Sequence, residues 1–174
     1  MARRPAQCGG HNFMDYAEKH VMNGLIIPQD VYPAPQPYDR LPNVQFTIRG
    51  VLGVRLIDAL NPAFNGLDNP GYVPRMSVDA KKITLRLKWP GYAEWKEVVH
   101  VFDHTYNVNP NTTRKIAQIV AQKVQVFWND LRNERYTGEI DGWQLVNFPL
   151  ERLVLLELRH VSQGSWQPVL AALS

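Results

Sequence analysis

The second half of the chain contains the pattern that most restricts its fold. An alternating run of apolar and polar residues, Ile83 to Trp89, is followed by the turn signal Pro90-Gly91 and by a second strand-like run that reaches Phe102. An amphipathic stretch then extends from Thr112 to about Glu134. Alternation with period two predicts half-buried strands, whereas apolar residues three or four apart predict one apolar helix face. The order strand, turn, strand, helix predicts a compact α+β domain.

Further segments with strand character flank this unit. Residues 44–48 alternate apolar and polar side chains, residues 153–161 form an apolar run typical of a central strand, and residues 166–173 return after a glycine turn. Residues 143–148 are also predicted to form a strand. Residues 54–60 fit either a short helix or a strand, because so few residues do not define a period.

The first 43 residues differ in composition from the rest of the chain. They contain six prolines, and Tyr32 to Tyr38 is predicted to be extended, polyproline-like chain. A short helix is predicted between Asp15 and Asn23. We interpret residues 1–43 as a proline-rich N-terminal arm, either flexible or strapped across the domain, with a docking site for a partner as the alternative. Residues 44–174 are predicted to form a single α+β domain: a mostly antiparallel sheet of about six strands, with one long helix packed on one face.

Composition limits the compartment and the partners. The chain of 174 residues has no apolar run long enough to span a membrane, and no apolar segment follows its basic N-terminus. A single cysteine, Cys8, excludes an internal disulfide and is typical of a reducing compartment. The net charge of +3 indicates weak attraction to polyanions. We therefore expect an intracellular, cytoplasmic protein without membrane contact.

The sequence contains no recognisable catalytic, phosphate-binding or metal-binding motif. His100 and His104, if both lie on one strand, are about 13 Å apart and do not share a metal ion. His160 is predicted to be a hydrogen-bonded core histidine, and Glu157 is predicted to face solvent. Cys8 lies in the arm, where a thiol is poorly positioned for catalysis. These observations favour a protein that is not an enzyme and uses neither a cofactor nor a metal.

The start of the long helix is one candidate binding site. Thr112, Thr113, Arg114 and Lys115 place two cations beside the free N–H groups of a first helical turn, where an anion such as phosphate binds favourably. The alternative is that these are ordinary surface residues.

The turn of the predicted hairpin is a second candidate. Trp89, Tyr92 and Trp95 frame it, and an aromatic cluster of this kind stacks on sugars, bases or peptides. The alternative is that the three rings fix the register of their own hairpin.

Three motifs together resemble a known group of sequences. They are the segments 89–95 (WPGYAEW), 113–127 (TRKIAQIVAQKVQVF) and 160–168 (HVSQGSWQP). In this order they resemble an uncharacterised protein family of mushroom-forming (basidiomycete) fungi, over roughly residues 44–174. The resemblance implies a fungal origin and an intracellular domain of unknown function, and it implies no catalytic residue.

We therefore expect a non-enzymatic protein–protein interaction or structural module, with self-association into a homo-oligomer as one form. The alternative is an anion- or nucleic-acid-binding domain that uses the N-terminus of the 112–134 helix. A third hypothesis is an enzyme whose acid–base pair combines distant carboxylates with His100 or His104.

Overall fold

A mixed seven-stranded sheet and one long helix form the core of the fold. The computed structural model describes residues 24–77, 81–103, 109–139 and 142–174. The predicted helix between Asp15 and Asn23 lies outside the described residues, as do Cys8 and His104. The strands are β1 Leu25–Ile26, β2 Val44–Gln45, β3 Thr47–Ile48, β4 Val51–Leu52, β5 Val54–Arg55, β6 Lys82–Leu87, β7 Trp95–His100, β8 Phe102–Asp103, β9 Asn109–Pro110, β10 Leu153–Ser162 and β11 Ser165–Ala172. The helices are α1 Leu56–Leu60 and α2 Thr113–Leu131, with short 3-10 turns at Leu145–Asn147 and Leu150–Arg152.

The main sheet has the strand order β2-β10-β11-β6-β7, with β5 also paired to β10 and β1 to β11. The pairs β10–β11 and β6–β7 are antiparallel, as the sequence predicts for the hairpin formed by residues 83–102. The contact between β11 and β6 is parallel, which makes the sheet mixed. The predicted α+β class, with one long helix against a largely antiparallel sheet, is confirmed.

Helix α2 packs its apolar face into the core. Its first turn is capped by Thr112, whose side chain accepts a hydrogen bond from the N–H of Lys115. Val120, Val124 and Phe127 are almost fully buried and belong to one cluster with the inward side chains of β6. Burying a side chain of this size contributes about 1.5–3 kcal/mol, so the helix depends on the sheet for its stability.

Residues 54–60 adopt both of the conformations that their sequence allows. Val54 and Arg55 pair with β10 as β5, and the helix α1 follows at once.

The strand prediction for residues 143–148 is wrong. This segment forms the 3-10 turn Leu145–Asn147. Two of its carbonyl groups accept hydrogen bonds from tryptophan side chains. The indole N–H of Trp89 donates to the O of Trp143 at 2.7 Å, and the indole N–H of Trp128 donates to the O of Phe148 at 2.9 Å. The rings of Trp143 and Phe148 therefore stack on each other and pack against the core, and the segment does not form a ladder.

Residues 24–43, which we call the strap, cross the sheet. Their strand β1 pairs with the end of β11, and Ile27 and Leu41 are buried in the core. The amide of Gln29 links two strands, donating to the O of Pro168 and accepting from the N–H of Lys88. The strap therefore bridges the gap between β11 and the end of β6.

None of the described helices is long and apolar enough to cross a membrane.

Candidate interaction site

Strand β7 is the open edge of the main sheet. In the described part of the chain, β6 is its only strand neighbour. The opposite edge, along β10, is occupied by β2 and β5. A strand with one neighbour presents a row of N–H and C=O groups without ladder partners, which is where another chain can add a strand.

Hydrogen bonds of β6 define which groups of β7 point outward. The N–H of Thr84 donates to the O of Gly164 at 2.8 Å, so the backbone groups of Thr84 point away from β7. Because these directions alternate along a strand, the residues on either side of Thr84 bond to β7, where they face Glu97 and Val99. The even-numbered residues of β7 therefore direct their N–H and C=O groups out of the sheet.

Lys96 and Val98 carry the open backbone groups. Among the described residues, neither has a hydrogen-bond partner on this side. Farther along the same edge, the O of His100 accepts from Nδ2 of Asn111 at 3.1 Å, so that carbonyl is already bonded. The open stretch therefore offers two donors and two acceptors.

The side chains of β7 alternate between the two faces of the sheet. On the helix side, the ring of Trp95 lies edge-on to Phe127 with centroids 5.9 Å apart, Glu97 forms an ion pair with Lys123, and Val99 is buried. On the other face, three side chains are exposed: Lys96, Val98 and His100. Helix α2 thus holds the strand from one side and leaves its other face in solvent.

Sequence reasoning missed Lys96 and Val98 as site residues, although the sequence contains a signal for one of them. Two successive valines, Val98 and Val99, break the alternation of β7 and force one of them onto the polar face. Val98 is that residue, and 56% of it is exposed. A large apolar side chain left in water on an edge strand indicates a contact surface.

The predicted anion site at the start of α2 has no free backbone donors. The N–H of Thr113 donates to the O of Tyr72, the N–H of Arg114 donates to the O of Pro70, and Thr112 caps Lys115. The guanidinium of Arg114 is bonded to the backbone of the same loop, at the O of Pro62. An anion would have to displace these partners, which is the physical reason that this turn does not form the expected cradle.

The predicted aromatic surface is divided between core and periphery. Trp89 is 1% exposed and so cannot stack on a ligand, which corrects that part of the prediction. Tyr92 accepts a hydrogen bond from the N–H of Leu145 and meets Tyr136 edge-on. Tyr92 and Trp95 are both half-buried against the core. The rings of Trp89 and Trp95 both contact Phe127 of helix α2, so they attach the hairpin to the helix.

The prediction that Glu157 faces solvent is wrong. Its side chain is 3% exposed, and Oε1 lies 2.7 Å from Nε of Arg159. The amides of Asn43 and Gln45 donate to its two oxygens, each at 3.3 Å. A bulge between Leu155 and Glu157 shifts the alternation of side chains between the two faces of β10, and both faces are covered. Simple alternation of buried and exposed residues therefore does not apply to this strand.

His160 is a hydrogen-bonded core histidine, as the sequence predicts. Its Nδ1 accepts from the N–H of Leu41 at 2.9 Å, and its ring packs against Tyr38 and Trp166. Burial lowers the pKa of His160, and the positive charge of Arg40 lowers it further. The imidazole is therefore held neutral, with Nδ1 as an acceptor that fastens the strap.

This arrangement predicts a pH dependence of stability. Because the folded pKa lies below the ordinary value of about 6.5, the contribution of neutral His160 is complete above that pH and is lost as pH falls through the folded pKa. In His160→Asn, Oδ1 replaces the acceptor but does not titrate. We expect the melting temperature of the wild type to fall relative to that of the variant between about pH 7.5 and about pH 5. Parallel curves for the two proteins would contradict this role.

An open hollow of about 620 Å³ lies beside the start of α2. Its carboxylate, Asp68, accepts from the N–H groups of Arg49 and Gly50, which form the left-handed turn between β3 and β4. The bond from Gly50 in particular lowers the pKa of Asp68. The Asp68 carboxylate therefore stabilises the turn between β3 and β4. Within the described ranges, no group of three or more potential ligand side chains could hold a metal ion.

No protein-family model matches the chain, and no curated protein or solved structure shows significant similarity to it. The resemblance to the fungal family stays a prediction.

Proposed function

We propose that this protein is a non-enzymatic interaction and assembly module that binds an extended segment of another chain along β7. The observation that carries the proposal is the outward direction of the four backbone groups of Lys96 and Val98. Strand addition uses such groups for affinity and the alternating side chains for specificity. The exposed Val98 supplies an apolar contact beside them.

The contacts that hold β7 in place support this role. Six residue pairs join β7 to β6, and helix α2 contacts its inner face through Glu97 and Trp95. A strand that is already held in extended geometry loses little conformational entropy when a partner pairs with it. A mobile edge would have to be ordered first.

The carboxylates and the histidine described above also favour a module without catalysis. Asp68 fastens a turn, Glu157 is paired with Arg159, and His160 fastens the strap. Each of these groups is bonded within the fold. We propose a cytoplasmic protein of the fungal family that the three motifs resemble.

The anion- or nucleic-acid-binding alternative has less support. The first-turn N–H groups of α2 are bonded to Tyr72, Pro70 and the Thr112 cap. Of the basic residues near the hairpin, Arg86 is paired with Glu94, and Lys88 lies 3.4 Å from Asp30. These two pairs offset the charges of Arg86 and Lys88 and so weaken the attraction of this region for a polyanion.

Val98→Pro tests the proposal. Proline removes the outward N–H of Val98 but no bond to β6, so the hairpin is preserved. The probe is a fluorescent, end-blocked peptide of residues 94–100, which reproduces β7 itself. We expect fluorescence anisotropy to show binding to the wild type and at least about tenfold weaker binding to Val98→Pro.

The matched control is Val98→Thr, which keeps the N–H and the β-branched shape. It should bind the peptide far more tightly than Val98→Pro does, and all three proteins should have similar circular dichroism spectra. Equal peptide affinity for Val98→Pro and Val98→Thr, or no binding to any of the three, would contradict strand addition at β7.

A further inference from the structure

We infer that the partner at β7 is a second copy of this chain, paired antiparallel about a two-fold axis through Glu97. This inference rests on the proposed function and identifies its partner. In this register Lys96 lies opposite Val98 of the second copy, and Val98 lies opposite its Lys96. Two-fold pairing of identical edges is the simplest closed arrangement that an open strand allows.

The free backbone groups select this register. Lys96 and Val98 each offer one N–H and one C=O, and pairing them with each other satisfies all eight groups of the two copies in four reciprocal hydrogen bonds. A register centred on Val98 would instead pair Lys96 with His100. In that register the O of His100, which already accepts from Nδ2 of Asn111, would have to accept from a second donor as well.

The side chains of β7 complement each other in the same register. On the solvent face, the aliphatic stem of Lys96 lies beside Val98 of the second copy, which covers the exposed valine. On the helix face, the half-buried Trp95 lies beside Val99 of the second copy. Neither contact brings two like charges together.

The two-fold axis places the two Glu97 side chains opposite each other, and Lys123 makes that arrangement acceptable. Each Glu97 carboxylate is already ion-paired with Lys123 of its own helix α2. Two carboxylates and two ammonium groups then alternate around the axis. Without Lys123, two directly opposed carboxylates in a cross-strand pair would repel each other.

Cysteine cross-linking tests the register. In antiparallel sheets, residues opposite each other in a non-hydrogen-bonded pair have Cα atoms about 4.5 Å apart, within the range for a disulfide. In a Cys8→Ser background, Glu97→Cys should form a covalent dimer under mild oxidation. Lys96→Cys and Val98→Cys are the matched controls, and each should cross-link much less, because neither faces its own copy. Predominant cross-linking of Val98→Cys would overturn the register.

A salt titration provides a second readout. In Lys123→Gln, the opposed Glu97 carboxylates lose their partners, so we expect dimerisation by sedimentation to weaken by about tenfold at low salt. Added salt screens this repulsion and should partly restore the dimer. The double variant Glu97→Gln/Lys123→Gln should dimerise with little salt dependence. Dimerisation of Lys123→Gln equal to that of the wild type at low salt would contradict the role of Lys123.

The outcomes separate this inference from the proposed function. In one outcome, the 94–100 peptide binds and Val98→Pro weakens this binding, but Glu97→Cys does not cross-link and the chain sediments as a monomer at about millimolar concentration. The second copy is then excluded, and strand addition stands. If the peptide does not bind and no cross-link forms, both fail. If Val98→Pro weakens peptide binding and Glu97→Cys cross-links selectively, the result supports both strand addition and the second copy as partner.

Discussion

Arg159→Met is expected to lower the free energy of unfolding by about 3–5 kcal/mol. The substitution removes the guanidinium that lies 2.7 Å from the Glu157 carboxylate and leaves that charge buried with its side chain 3% exposed. Methionine follows the stem of arginine, so the loss of packing is small. The cost therefore comes from the loss of the Arg159 charge beside a carboxylate in low dielectric, and denaturant unfolding measures it directly.

The double variant Glu157→Gln/Arg159→Met separates charge from shape. Glutamine carries no charge and keeps one oxygen, which accepts from the amide of Asn43 or of Gln45, while its NH2 group replaces the other oxygen. We expect the double variant to recover most of the stability that the single variant loses, as is typical when a buried ion pair is replaced as a unit. A single variant within about 1 kcal/mol of the wild type, or a double variant as unstable as the single one, would contradict this account.

The hairpin and the long helix could be predicted from the sequence because their signals are local. Ile83, Leu85 and Leu87 point to one face by simple alternation, and all three are buried. In helix α2, Ile116, Val120 and Phe127 repeat at helical spacing and are buried too. In both elements, whether a residue is buried follows from the spacing of apolar residues, and a few neighbouring residues are enough to show that spacing.

The environment of Glu157 could not be predicted, because long-range contacts determine it. Its burial depends on the bulge in β10 and on Gln45, which lies opposite it in β2 and is distant in sequence. A long-range contact also determines the position of β7 at the edge of the sheet. It follows from the parallel contact between Thr84 and Ser165, and no local pattern encodes that pairing.

The structure of the strap could be predicted only in part from the sequence. Proline content identified an arm, but the fastening residues are single contacts: Ile27 in the core, and the Leu41 N–H on Nδ1 of His160. The apolar run Leu25-Ile26-Ile27 before Pro28 was a usable signal, since three successive apolar residues seldom lie in a solvated tail. The side-chain bond between Gln29 and Pro168 had no signal in the sequence.

The central claim is that β7 has one closed side and one open side, and amide hydrogen exchange distinguishes the two within a single strand. The N–H groups of Glu97 and Val99 point toward β6, whereas those of Lys96 and Val98 point out of the sheet. At a concentration where sedimentation shows single chains, we expect Lys96 and Val98 to exchange at least about 100-fold faster than Glu97 and Val99. Their exchange should slow as concentration rises and the open groups acquire partners.

Residue-resolved exchange by NMR is the measurement, and it requires no substitution. Alternating protection along β7, with protection of Lys96 and Val98 appearing only on association, is the result that this account predicts. Equal and strong protection of all four amides in the single chain would mean that the outer side of β7 is already covered, and it would contradict the account.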